Sequence, residues 1–139
     1  MTGILKTKKL KKAQMFFDGG CYPNPGQMDI ALVFCGGYNN ELYQELTQGT
    51  NNLAEWYALL SGLEIAINEG IEHLEVIGDS ELVIRQITGQ YKVKKASLKP
   101  LYDKCDYLKS KFKEITFTHV KRDNNLAGVY LEQMRPEKS

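Results

Sequence analysis

The stretch Phe17-Asp-Gly-Gly-Cys-Tyr-Pro-Asn-Pro-Gly26 decides the fold. Before it, Ala13 to Phe17 is an apolar, aromatic run that stops abruptly at Asp18-Gly19-Gly20, so a buried strand meeting a turn is expected. Tyr22-Pro-Asn-Pro-Gly26 is a loop punctuated by proline and glycine. After it, Ile30 to Cys35 reads as a second buried strand, Gly36-Gly-Tyr-Asn-Asn40 as a hairpin turn and Glu41 to Gln48 as a third strand. Together these make an antiparallel meander.

Further on the period changes. Leu53, Trp56, Tyr57, Leu60, Leu63 and Ile67 recur at three and four residues, the mark of a helix with one buried face. Asn51 or Asn52 fits its N-cap and Gly70 its stop. His73 to Gly78 reads as a fourth strand ending at Asp79, and Ser80 to Ile87 as a short helix. Lys99-Pro100 opens another helix, with Leu101, Cys105, Leu108 and Phe112 on one stripe. Ile115 to Val120 alternates as a fifth strand, and Leu126 to Met134 closes as a helix. The order βββαβααβα predicts an α/β fold: a mixed five-stranded sheet, its first three strands antiparallel, flanked by helices. Sites in such sheets gather where strands end and helices begin.

The chain has 139 residues, 42% hydrophobic and 25% charged, enough for one core; the expected domain is 13–135, with a tail at 136–139. No apolar run approaches the ~20 residues that span a bilayer. Cys21, Cys35 and Cys105 are an odd number without metal-like spacing and read as reduced thiols, so a cytoplasmic location and no membrane partner are expected. Net charge is only +1, but its distribution is uneven. Residues 1–12 read as a basic, flexible leader, with five lysines between Lys6 and Lys12, and Lys92, Lys94, Lys95 and Lys99 form a second basic stretch. Such runs are either solvated surface or phosphate contacts.

Asp18 and Asp79 stand at strand ends, and Glu55 in the first turn of a helix. Each alone has a structural reading as turn, cap or macrodipole residue. Together they could converge into a negative cluster, which makes sense only if a cation neutralises it. Oxygen ligands select Mg²⁺ or Mn²⁺, and two such ions roughly 3.5–4 Å apart can clamp a phosphodiester.

Four strings occur in order with plausible spacing: Phe17 to Gly26; Thr50-Asn-Asn-Leu-Ala-Glu55; Gly78-Asp-Ser-Glu-Leu-Val-Ile-Arg85; and His119-Val-Lys-Arg122 followed by Asn124-Asn125. They resemble the motifs of type 1 ribonuclease H, over about Phe16 to Leu131. The resemblance implies a metal-dependent endonuclease that hydrolyses the RNA strand of RNA/DNA hybrids, monomeric and without an organic cofactor. It implies Asp18, Glu55 and Asp79 as catalytic metal ligands, Asp18 bridging two Mg²⁺ ions bound with substrate, Mn²⁺ being a possible substitute. Gly19, Gly20 and Cys21 would border the RNA strand, and Asn24 and Asn52 would hydrogen-bond the hybrid. Larger members carry a basic protrusion; this chain is of the compact type, and Lys92 and Lys94 could supply part of that grip.

The chain departs from the family at its fourth carboxylate. Counting from Ala127 puts Gly128 at that position, and counting from His119 puts Val129 there; neither side chain binds a metal. Asp123, Asn124, Asn125 or Glu132 could compensate, or water could fill the place. The alternative is a non-catalytic module that binds nucleic acid or a partner on the same scaffold. Asp29 reads as a loop acid without a role, and His119 as a packed, hydrogen-bonded strand residue.

Overall fold

The computed structural model describes residues 11–136. The leader expected at 1–12 lies outside the described residues up to Leu10, as do residues 137–139 of the tail; Lys12 already begins a strand. The elements run β1 (Lys12–Tyr22), β2 (Gly26–Cys35), β3 (Asn40–Gly49), α1 (Asn51–Asn68), β4 (His73–Gly78), α2 (Glu81–Ile87), α3 (Lys99–Lys109), β5 (Glu114–His119) and α4 (Leu126–Met134). A 3₁₀ turn at Arg122–Asn124, not foreseen, precedes α4. One sheet holds all five strands in the order β3-β2-β1-β4-β5. The β1–β2 and β2–β3 pairs are antiparallel, and β1–β4 and β4–β5 are parallel, as the meander and crossovers require.

Strand alternation divides the chain between two faces. Met15, Phe17, Ile30, Leu32 and Val76 enter the main core with Trp56, Leu59 and Leu63 of α1. On the other face Phe16, Ala31 and Val33 pack with Ala127 and Leu131 of α4. Tyr57, expected on the buried stripe of α1, is exposed; Ala54, Ala58 and Ala66 are buried instead, because small side chains let this helix settle closely against the sheet. Among the described residues no helix is long and apolar enough to cross a membrane.

Two local expectations are corrected. β1 does not stop at Asp18: it stays paired with β2 through Tyr22↔Gln27, so Asp18 lies inside the strand. Gly19 and Gly20 signal close approach rather than a turn. A Cβ on Gly19 would lie 2.3 Å from the Ala54 carbonyl, and one on Gly20 2.3 Å from Arg135 Nη2. The N-cap of α1 is Thr50, whose Oγ1 accepts from the Leu53 N–H at 3.2 Å, rather than Asn51 or Asn52. Gly70, at φ +76°, follows the helix end as expected.

Candidate active site

The parallel β1–β4 register pairs Phe16 with Ile77, so continuing two residues along each strand brings Asp18 level with Asp79. Asp18 shares a face with Phe16 and turns toward α4, and its side chain is 1% exposed. Asp79 is held where β4 ends: its Oδ1 accepts from Asn125 Nδ2 at 2.6 Å. Glu55 comes from the first turns of α1, and its Oε1 accepts from the Gly19 N–H at 3.2 Å. The three predicted acids therefore come from β1, α1 and the end of β4 to one neighbourhood.

Burial pushes the Asp18 carboxyl up to about 7; Arg122 pulls it down, and Asp79 pushes it further up. Burial also raises Glu55 well above the usual carboxylate range, with Asp18 and Asp79 adding to the effect and the Gly19 N–H opposing it. Asp18 Oδ1 is buried with no hydrogen-bond partner among the described residues. A buried carboxylate oxygen left unpaired this way is costly and suits a cation.

Arg122, quoted in the sequence only as part of a motif, enters this cluster. Its Nη1 donates to Asp18 Oδ2 at 2.9 Å and to Asp79 Oδ2 at 3.2 Å, and its Nη2 lies 3.5 Å from Glu132 Oε2. Burial opposes its charge, but Asp18 and Asp79 outweigh that and hold the guanidinium above its ordinary pKa. With the guanidinium between the acids, the described residues contain no group of three His, Cys, Asp or Glu side chains arranged to hold a metal ion as they stand.

Of the two positions for the fourth acid, Gly128 faces the site. A Cβ there would lie 3.4 Å from Asp18 Oδ2 and 3.3 Å from Arg122 Nη1. Val129, the position that the count from His119 gives, is 45% exposed on the next residue of α4. Asn125 is engaged on both side-chain atoms: its Nδ2 donates to Phe17 O and Asp79, and its Oδ1 caps α4 at the Ala127 N–H. Asp123 and Asn124 are exposed in the 3₁₀ turn. Glu132 reaches the cluster through Arg122, whose Nη2 lies 3.5 Å from its Oε2.

A cleft of about 300 Å³ adjoins the cluster, lined by Gly19, Gly20, Cys21, Asn51, Glu55, Arg122, Leu131 and Arg135. Cys21 borders it, with its thiol buried and directed at the carbonyls of Pro23 and Gly49. Asn24 Oδ1 accepts from the Asn51 N–H at 3.1 Å, tying the 23–25 loop to the start of α1. Asn52 stands in the first turn of that helix without the capping role. Lys92 and Lys94 are exposed in the 88–98 segment and do not line the cleft. His119 is exposed at the end of β5 rather than packed. A larger cavity of about 360 Å³ lies at the opposite end of the sheet, around His73, Glu75 and Glu114, away from the three acids.

The sequence reading also missed the Asp29–Arg135 pair. Asp29 is a buried β2 residue rather than a loop acid. Arg135 Nε and Nη2 donate to its two carboxylate oxygens at 2.8 and 2.6 Å, and Tyr43 Oη donates to Oδ2 at 3.0 Å. Nothing local could have revealed a pair separated by 106 residues.

The profile of the family described as reverse transcriptase-like matches residues 17–134. The chain belongs to this family. Within it the chain is of the ribonuclease HI type, as its relatives indicate. It is 30% identical over 128 residues to ribonuclease HI of Halobacterium salinarum, covering 90% of this chain and 64% of that protein. The solved N-terminal RNase H domain of Rv2228c from Mycobacterium tuberculosis superimposes with a TM-score of 0.81 at 33% identity, covering 86% of this chain and 95% of that one. LC11-RNase H1, solved in complex with an RNA/DNA hybrid, matches at a TM-score of 0.78 and 32% identity over 86% of this chain and 92% of that one. The chain spans 31% of the length of the full Mycobacterium tuberculosis protein.

Proposed function

We propose that this chain is a ribonuclease H that hydrolyses the RNA strand of RNA/DNA hybrids, leaving 5′-phosphate and 3′-hydroxyl ends. One observation carries the reading: Asp18 is buried among Glu55 and Asp79 with Oδ1 unpartnered, beside a cleft walled by Gly19 and Gly20. The likeness to a ribonuclease H solved with a hybrid supports the same substrate.

The all-oxygen donor set fits a hard divalent cation such as Mg²⁺ or Mn²⁺, held by Asp18, Glu55 and Asp79. When bound, such an ion polarises the phosphodiester and lowers the pKa of water. The chain's own groups do the rest. The Gly19 N–H orients Glu55 and Asn125 orients Asp79, and the missing side chain at Gly19 lets the start of α1 settle against β1 at Ala54. Gly128 leaves the nucleophile side one carboxylate short, so slow turnover with a preference for Mn²⁺ is expected.

The direct test is cleavage of a labelled hybrid by the parent and by Gly128→Asp, in Mg²⁺ and in Mn²⁺. Cleavage by the parent, increased in the variant, is the expected result; silence from both in either metal refutes an enzymatic reading. A second reading, a hybrid-binding module without turnover, draws on the same absent carboxylate and on the Arg122 bridge. Undiminished hybrid affinity with no cleavage in any condition would select it.

A further inference from the structure

The groups that would ligate an ion already have a cation. Arg122 Nη1 lies 2.9 Å from Asp18 Oδ2 and 3.2 Å from Asp79 Oδ2, the same carboxylates that the proposed function assigns to the metal. Position 128 explains how the guanidinium comes to lie there. A Cβ on Gly128 would be 3.3 Å from both Cζ and Nη1 of Arg122, tighter than ordinary contact, so glycine leaves the room that the arginine takes. The contact is incomplete as well. Asp18 Oδ1 has no partner among the described residues, and Arg122 keeps a side-chain exposure of 46%. A half-exposed guanidinium that satisfies one of two buried oxygens is placed to leave.

We propose that Arg122 is a built-in counter-ion that competes with the divalent cation for Asp18 and Asp79, so that metal entry and Arg122 release are one exchange, permitted by Gly128. This rests on reading the acids as a metal site. A carboxylate oxygen at 2.9 Å from a guanidinium nitrogen cannot also give that cation's place to a divalent ion, and two cations a few ångströms apart repel. One positive charge thereby offsets part of the acid cluster in the metal-free site, at the cost of weaker metal affinity.

The experiment is Mn²⁺ binding to the folded full chain without nucleic acid, followed by the electron paramagnetic resonance of free Mn²⁺ and by calorimetry. The parent is compared with Arg122→Gln, Arg122→Lys and Gly128→Ala. Arg122→Gln should bind about tenfold more tightly or better, since one unit charge has left the ion's neighbourhood. Arg122→Lys keeps the charge and should stay near the parent. Gly128→Ala keeps the arginine but crowds it, and should tighten binding about twofold to threefold; it also covers the case in which Arg122→Gln fails to fold. Equal or weaker Mn²⁺ affinity in Arg122→Gln and Gly128→Ala overturns the exchange while leaving the metal site standing. Absence of Mn²⁺ binding in every protein overturns the metal site itself, and the exchange with it.

Discussion

Two arginine–carboxylate centres lie at the same end of this sheet, and they are built to opposite specifications. In one, Asp29 of β2 has both oxygens occupied, by Nε and Nη2 of Arg135 and by the Tyr43 hydroxyl, with the side chains of the acid and arginine 8% and 19% exposed. In the other, Asp18 of β1 has one oxygen on Arg122 and the second on nothing among the described residues, while Asp79 and Glu55 crowd the same space. The first is a bidentate pair that staples the end of α4 to the meander. The second keeps unspent electrostatic demand in a buried place. Identical side-chain chemistry makes a structural pin where every acceptor is satisfied, and a candidate ion site where they are not.

The sharpest way to break that comparison is to neutralise each acid. Asp18→Asn should reduce hybrid cleavage to background with the fold retained, checked by a gel assay beside circular dichroism; residual turnover near the parent's would remove Asp18 from the chemistry. Asp29→Ala should instead cost about 4 kcal/mol of stability, because it strands a mostly buried guanidinium. Urea denaturation reads this, and a loss under about 1 kcal/mol would mean that the pin holds little.

The pH dependence separates the centres again. The folded-state pKa of Asp18, about 7, lies above its unfolded value of 3.8, so the native state binds the extra proton. Below the unfolded value Asp18 contributes nothing. Between about 4 and 7 stability falls as pH rises, and above 7 the full ionisation cost is present. Metal-free Asp18→Asn should therefore exceed the parent in stability at pH 8, and the gap should close toward pH 4. Glu55, raised in the same direction, will keep part of the slope in the variant. A gap that widens on acidification would contradict the sign.

The legibility of the two centres from sequence differs for a physical reason. Strand and helix periodicity are local, so the element order, the sheet class and the α4 bounds Leu126–Met134 were readable in advance. The three acids were readable because each stands beside a local signal: two glycines, a helix start, a strand end. What escaped was long-range pairing. Arg122 reaches Asp18 across 104 residues and Arg135 reaches Asp29 across 106, and no local periodicity links either pair. Gly19 and Gly20 were misread as a turn because glycine marks both a bend and a close approach. Only the packing of Ala54 and Arg135 against β1 tells which.

The finest test of the satisfied centre is Tyr43→Phe. Burial pushes the Tyr43 hydroxyl well above its usual pKa, and the hydrogen bond to Asp29 adds to the rise, so the phenol stays protonated and donating throughout the ordinary range. Removing that hydroxyl deletes one of the three bonds to Asp29 but leaves both guanidinium contacts, and the phenyl ring still fills the site. A loss of about 1 kcal/mol is expected, the size of one hydrogen bond to a charged group in a partly exposed place. A loss approaching that of Asp29→Ala would mean that the three bonds act as one cooperative unit, which a double-mutant cycle of Tyr43→Phe with Arg135→Gln would measure as coupling. No measurable loss would mean that Arg135 alone satisfies Asp29. The contrast with Asp18 would then rest on the bidentate geometry of one arginine rather than on the number of donors.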